Sequence, residues 1–282
     1  MTTEDRIVAL VKETSSSIPD DVRAALAAAC RRERRGSSAA VVLKTILDNC
    51  EMARRNGVPL CQDTGTLMFV VDCRLRRKVT QALLNRAVAR ATALGYLRKN
   101  TIDAVTGEPF DDNCACGAPI VKYVEADGES SVKAGTVTLV MKGGGSENMS
   151  RQYSLPDASL GAGRDLDGVR RCILDAVVRT QGYGCAPGIL GVCIGGDRAT
   201  GYAVAKEQLL RPLDEPAGKG PLPALERRIL REANSLGIGP MGLGGKTTLL
   251  GVKIASRTRV PASFFVTVAY MCWACRRRTI EI

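Results

Sequence analysis

The sequence predicts an α+β fold: N-terminal helices, then a mixed, largely antiparallel sheet with helices packed around it. Three observations predict it. Residues 4–55 keep a three- and four-residue apolar rhythm. Two alternating stretches flank an Asp-Gly pair. The remainder changes between helical and strand periodicity without a regular strand–helix alternation. No linker forces a division and no internal repeat is evident, so one domain over residues 1–282 is expected, with 45% apolar content to build its core.

Val8, Leu10 and Val11, then Val22, Ala25, Leu26 and Ala29, then Val41, Val42, Ile46 and Leu47 predict two or three helices. Pro59 and the polar turn Gln62-Asp63-Thr64-Gly65 end that pattern, and Leu67–Asp72 reads as a buried strand. Helical spacing returns over 79–97. Ile120–Ala126 and Val132–Lys142 alternate on either side of Asp127-Gly128, a strong hairpin signal, and Gly143, Gly144 and Gly145 close the second strand. Leu166–Thr180 predicts an amphipathic helix and Ile189–Gly195 a strand. Helices over 198–209 and 222–236, joined by a Pro- and Gly-rich segment, precede strands at Thr247–Ile254 and Ser263–Met271.

No apolar run approaches the roughly 20 residues a spanning helix needs, so no membrane association is expected. Glu4, Asp5 and Arg6 precede any apolar run, which does not match a secretion signal and places the chain in the cytoplasm, with an organelle matrix as second choice. The formal charge is +11, yet only 4% of residues are aromatic and the basic ones are scattered. Nucleic-acid binding is therefore not expected. The denser groups, Arg31 to Arg35, Arg74 to Lys78 and Arg276 to Arg278, read as solvated faces, with a partner subunit or an anionic substrate as alternatives.

Eleven cysteines in a reducing compartment point to metal ligation or catalysis in preference to disulfides. Histidine is absent, so acid–base work falls to carboxylate, Lys, Tyr, Thr or water. Cys30, Cys50 and Cys172 lie in helical patterns, and Cys73 and Cys193 at or near strands, as small core residues. Cys114-Ala-Cys116 and Cys272-Trp-Ala-Cys275 are close pairs, the latter without a thioredoxin-like context. Spacing alone selects no ligand set. Several strand ends are glycine-rich, a pattern that lets backbone amides approach a ligand. Gly-Gly-Lys-Thr at 244–247 imitates a phosphate-binding loop but has Pro240 where the first glycine belongs. No dinucleotide fingerprint opens a helix at Gly195-Gly196 either.

Pro-Leu-Cys-Gln-Asp-Thr-Gly-Thr at 59–66, Gly-Tyr-Leu-Arg at 95–98 and Lys-Gly-Gly-Gly-Ser-Glu-Asn at 142–148 form an ordered series. It continues with Gly-Ile-Gly-Pro-Met-Gly-Leu-Gly-Gly-Lys-Thr-Thr at 237–248 and a tail ending Val-Ala-Tyr-Met-Cys at 272. Together they resemble the class I, iron–sulfur fumarate hydratase and L-tartrate dehydratase α-subunit family, from about residue 40 onward. The resemblance implies a [4Fe–4S] cluster on Cys61, Cys185 and Cys272, three thiolates that leave one iron open as a Lewis acid. It also implies that Gln62 and Asp63 face substrate, that Arg98 pairs with a substrate carboxylate, and that Gly143, Gly144 and Gly145 offer backbone amides. Asp63 is the candidate for proton transfer.

Family members commonly carry histidine before the final strand and after the last ligand cysteine. Here those stretches read Ser256-Arg-Thr-Arg-Val-Pro and Trp273-Ala-Cys-Arg, which alters substrate contacts or the surroundings of the cluster. Single-chain members continue into a further domain, whereas this sequence stops at Ile282. A separate β-subunit is therefore expected, in a heteromer such as α2β2. The implied reaction interconverts a small 2-hydroxy dicarboxylate and its unsaturated acid, malate and fumarate first, tartrate or citramalate and mesaconate next. The competing reading is a non-catalytic, thiol-rich binding subunit.

Overall fold

The computed structural model describes residues 1–126, 132–215 and 220–282. Three helices open the chain, α1 (Thr3–Ser16), α2 (Asp20–Arg32) and α3 (Ser38–Asn56), followed by β1 (Thr66–Asp72), α4 (Gln81–Ala93), β2 (Ile120–Val124) and β3 (Thr136–Lys142). Next come the short α5 (Gly144–Asn148), β4 (Arg151–Ser154), α6 (Leu166–Thr180), β5 (Gly188–Ile194), α7 (Arg198–Gln208) and α8 (Leu222–Ser235). Strands β6 (Leu249–Ser256), β7 (Phe265–Met271) and β8 (Arg276–Glu281) end it. Among the described residues no helix is long and apolar enough to cross a membrane.

These elements divide into two compact units. The first, Met1–Pro19, Asp48–Gly144 and Ala274–Ile282, holds a sheet of order β2-β1-β3-β8. Alternation decides its buried face. Leu67, Phe69 and Val71 of β1 and Val137, Leu139 and Met141 of β3 pack with Ile7, Leu10 and Val11 of α1 and Leu84, Val88 and Ala91 of α4. Phe69 and Leu139 are wholly buried, and side chains of this size contribute about 1.5–3 kcal/mol each on burial. Thr2 starts α1 with a reciprocal cap: its hydroxyl accepts from the Asp5 N–H at 3.1 Å, and Asp5 Oδ2 accepts from the Thr2 N–H at 3.0 Å.

The second unit, Asp20–Leu47 and Gly145–Trp273, holds a sheet of order β4-β7-β5-β6. Val169, Ile173 and Val177 of α6 and Ile229 and Ala233 of α8 pack on Leu190, Val192, Val252, Ile254, Val266 and Val268 of the sheet. In each sheet two strand pairs are antiparallel and one parallel, so the largely antiparallel α+β expectation holds.

The connections show a repeat that the residues conceal. β1 leads through α4 to a parallel neighbour, β2, and then to β3 on its other side. β5 leads through α7 and α8 to a parallel neighbour, β6, and then to β7 on its other side. The strand after β3 in the chain, β4, belongs to the second sheet, and the strand after β7, β8, to the first.

Two expectations change. β2 and β3 do not form a hairpin: each pairs with β1, which lies between them, and Asp127-Gly128 falls outside the described residues. β1 is buried along all but its first residue, so its backbone groups need partners on both edges, which a β2–β3 hairpin would deny it. The Arg276–Arg278 group is not one solvated face either, because it forms β8 and Arg276 is 1% exposed.

Candidate active site

The repeat places the sequence-selected residues at matching positions. Cys61 precedes β1 and Cys185 precedes β5; Gly143 follows β3 and Cys272 follows β7. The first unit carries Cys61, Gln62, Asp63, Arg98, Gly143 and Gly144, and the second carries Gly145, Cys185 and Cys272.

In the first unit the turn before β1 lies against the end of β3. Gly65, at φ +72°, is so close that a Cβ there would meet the Lys142 carbonyl oxygen at 2.3 Å. This approach brings Asp63 to the glycine loop, where a Cβ on Gly143 would stand 2.8 Å from Asp63 Oδ2. Arg98 joins the same turn. Its backbone N–H donates to Thr64 Oγ1 at 2.9 Å, the Thr64 hydroxyl donates to the Arg98 carbonyl at 3.1 Å, and Arg98 Nη1 donates to the Gln62 carbonyl at 3.3 Å.

Residues the sequence did not single out complete this frame. Asn113, wholly buried at φ +60°, accepts from the Asn100 and Thr101 N–H groups and donates to the Arg98 carbonyl at 2.9 Å. The Asn100 amide has two placements. One donates to Asp63 Oδ1 at 3.4 Å; the other accepts from the Thr64 and Gly65 N–H groups at 3.3 and 3.2 Å. The second satisfies two backbone donors and is the orientation the hydrogen-bond network favours. Neither asparagine sits in a motif, so one sequence offers no signal for them.

In the second unit two candidate ligand loops are tied together. The Trp273 N–H donates to the Cys185 carbonyl at 3.3 Å, and the Cys272 N–H to Ser146 Oγ at 3.1 Å. Cys185 has φ +52°, an uncommon conformation for a residue with a Cβ. The buried Tyr270 ring fills the space beside Gly184 and Gly188, where added Cβ atoms would stand 2.4 and 2.3 Å from it. Burial first, then the neighbouring Cys272 and Cys185, raise the Tyr270 hydroxyl's pKa and keep it protonated.

The other thiols divide by environment. Burial pushes Cys172 up to about 12 and Cys193 up to about 11, which suits inert core thiols. Cys114 rises to about 11 through burial and the nearby Asp112 charge, so Cys114-Ala-Cys116 is a poor thiolate pair. Cys61, Cys185 and Cys272 lie outside any disulfide and are partly exposed. Among the described residues no group of three or more Cys, Asp or Glu converges as a metal cage. The fit to an iron–sulfur cluster therefore rests on donor chemistry: accessible thiols, two of them on loops joined by a backbone hydrogen bond.

Comparison with known proteins gives this geometry its context. The family model for fumarate hydratase (Fumerase) matches residues 4–281. A Geobacillus stearothermophilus protein provisionally named fumarate hydratase class I is 48% identical over 278 residues, 97% of this chain and 53% of its own length. This chain thus spans about half of that relative. A Methanocaldococcus jannaschii protein provisionally named L(+)-tartrate dehydratase subunit alpha is 32% identical over 98% of this chain and 96% of its own. The L(+)-tartrate dehydratase subunit alpha of Escherichia coli K12 is 30% identical over 95% of this chain and 86% of its own.

Proposed function

This chain belongs to the fumarate hydratase (Fumerase) family, and from that premise we propose that it is the α-subunit of a [4Fe–4S]-dependent hydro-lyase acting on malate and fumarate. The observation that carries the reading is the pairing of Asp63 with the Gly143 loop, in a turn that also binds Arg98. A carboxylate, a guanidinium and a glycine-lined backbone are the groups that handling a small diacid requires. Arg98 offers the forked donor pair that a substrate carboxylate accepts. Gln62 and the backbone of Gly143, Gly144 and Gly145 orient the rest of the acid, and Asp63 exchanges the proton at the carbon beside the carboxylate.

Cys61, Cys185 and Cys272 are the proposed cluster ligands. When bound, such a cluster supplies an iron with an open coordination position, a Lewis acid for the substrate's oxygens. Tartrate is the second substrate reading, favoured by the two tartrate dehydratase relatives. In this proposal the 282 residues work as one functional domain in the cytoplasm, with a separate β-subunit in an assembly such as α2β2.

The test is iron and sulfide per chain in anaerobically prepared protein. Cys61→Ser, Cys185→Ser and Cys272→Ser each lose the cluster, while Cys172→Ser keeps it. Unchanged iron in the first three removes the cluster assignment. A panel of fumarate, malate, tartrate and mesaconate on the loaded protein then decides the substrate.

A further inference from the structure

Arg276, the first residue of β8, is the largest wholly buried side chain among the described residues. Its Nη2 donates to the Asp63 carbonyl at 2.8 Å, while Nε and Nη1 have no partner among the described residues. A guanidinium cannot shed its charge at working pH, and burying it with two unmatched donors works against folding. Stability alone favours an apolar residue opposite Met141, its partner in β3. Arg278, two residues on, has partners for both terminal nitrogens by contrast: Nη2 donates to Ser17 Oγ at 3.0 Å and Nη1 pairs with Glu13 at 3.2 Å.

The anchoring of the Cys61–Thr64 segment shows what Arg276 does. The segment's ends are fixed, since the Leu60 N–H donates to the Ser15 carbonyl at 2.8 Å and Thr64 is locked to Arg98. Its middle is held at two carbonyls, Gln62 by Arg98 Nη1 and Asp63 by Arg276. A guanidinium at Arg98 that turns to a substrate carboxylate gives up the Gln62 carbonyl. Arg276 then holds the middle without it.

We propose that Arg276 is a positioning residue, pinning the Asp63 carbonyl so that the Asp63 side chain stays aimed at Gly143 while Arg98 engages substrate. This rests on the reading of Asp63 as the proton-transfer group and adds a residue that acts through it.

Hydrogen exchange on the unloaded chain tests the pin directly. In Arg276→Met, amides of residues 60–66 exchange at least about tenfold faster, while those of β1 beyond Leu67 keep their protection. In the loaded protein, assayed with its β-subunit, kcat falls about 10²-fold and KM moves less than about threefold, at unchanged iron per chain. Arg276→Lys, which keeps the charge and one donor, recovers part of both effects and carries the test if Arg276→Met does not fold. Unchanged exchange in 60–66, or a kcat loss that merely follows lost iron, overturns the proposal. Asp63→Asn separates the two readings: full activity there refutes proton transfer by Asp63, and the exchange result still decides whether Arg276 holds the segment.

Discussion

Asp63 and Gly143 constrain each other at the level of single atoms. A Cβ at position 143 would stand 2.8 Å from Asp63 Oδ2, closer than such contacts occur, while one at position 144 would stand 3.9 Å away, in ordinary contact. Gly143 has no left-handed backbone conformation to forbid a side chain. The steric demand therefore falls on the carboxylate and not on the fold. Gly143→Ala is expected to displace Asp63, lowering kcat about 10²-fold with the thermal midpoint preserved, and Gly144→Ala to lose less. A Gly143→Ala protein as active as the parent would show that the carboxylate's position does not matter. The motif residues of the proposed site stood out in the sequence because their segments resemble a family pattern. Asn113, Asn100 and Arg276 were not, because each acts on backbone carbonyls or amides and any polar residue reads alike in a sequence.

At the scale of elements, legibility followed burial. α6 shows a clear apolar stripe, Val169, Cys172, Ile173, Ala176 and Val177, and its bounds in the structure are those the sequence predicts. β8 hides behind three consecutive arginines, since its side chains do not alternate between apolar and polar. β4 is four residues long and only partly buried, too short to carry a pattern. The β2–β3 hairpin misled because a turn signal fixes where the chain reverses, not which strand becomes the neighbour. The junction of α1 and α4 offers a prediction of its own. Hydrogen bonds from Arg90 and then Thr2 hold the Asp5 carboxyl at about 2, against an ordinary 3.8. A carboxylate depressed in the folded state contributes stability that is present above the ordinary value and lost as pH falls through the folded one. The difference in urea midpoint between the parent and Asp5→Asn should hold steady above pH 3.8 and close as pH approaches about 2. A constant difference across that range would show that Asp5 is not coupled to folding.

At the scale of the molecule, the proposed function divides the chemistry between this chain and a separate β-subunit. This chain spans 53% of the Geobacillus relative and 96% of the Methanocaldococcus relative, whose name makes it an α-subunit. The groups proposed for proton transfer and for holding one carboxylate, Asp63 and Arg98, lie in one unit, with Arg98 hydrogen-bonded to the turn that carries Asp63. A 2-hydroxy diacid presents a second carboxylate and a leaving hydroxyl, and the proposed set of Gln62, Asp63, Arg98 and the Gly143–Gly145 backbone offers no histidine and no second acid or cation for them. The proposed division separates cluster retention from turnover. Prepared without oxygen, the lone chain should hold iron and sulfide at the level of the paired protein. Its fumarate hydration should be at least about 10²-fold slower, because removing a positioned acid or base costs that much. Adding the β-subunit should restore kcat without changing iron per chain. Full hydratase activity from the lone chain would refute the division, and loss of iron in the absence of the β-subunit would mean that the cluster itself needs both chains.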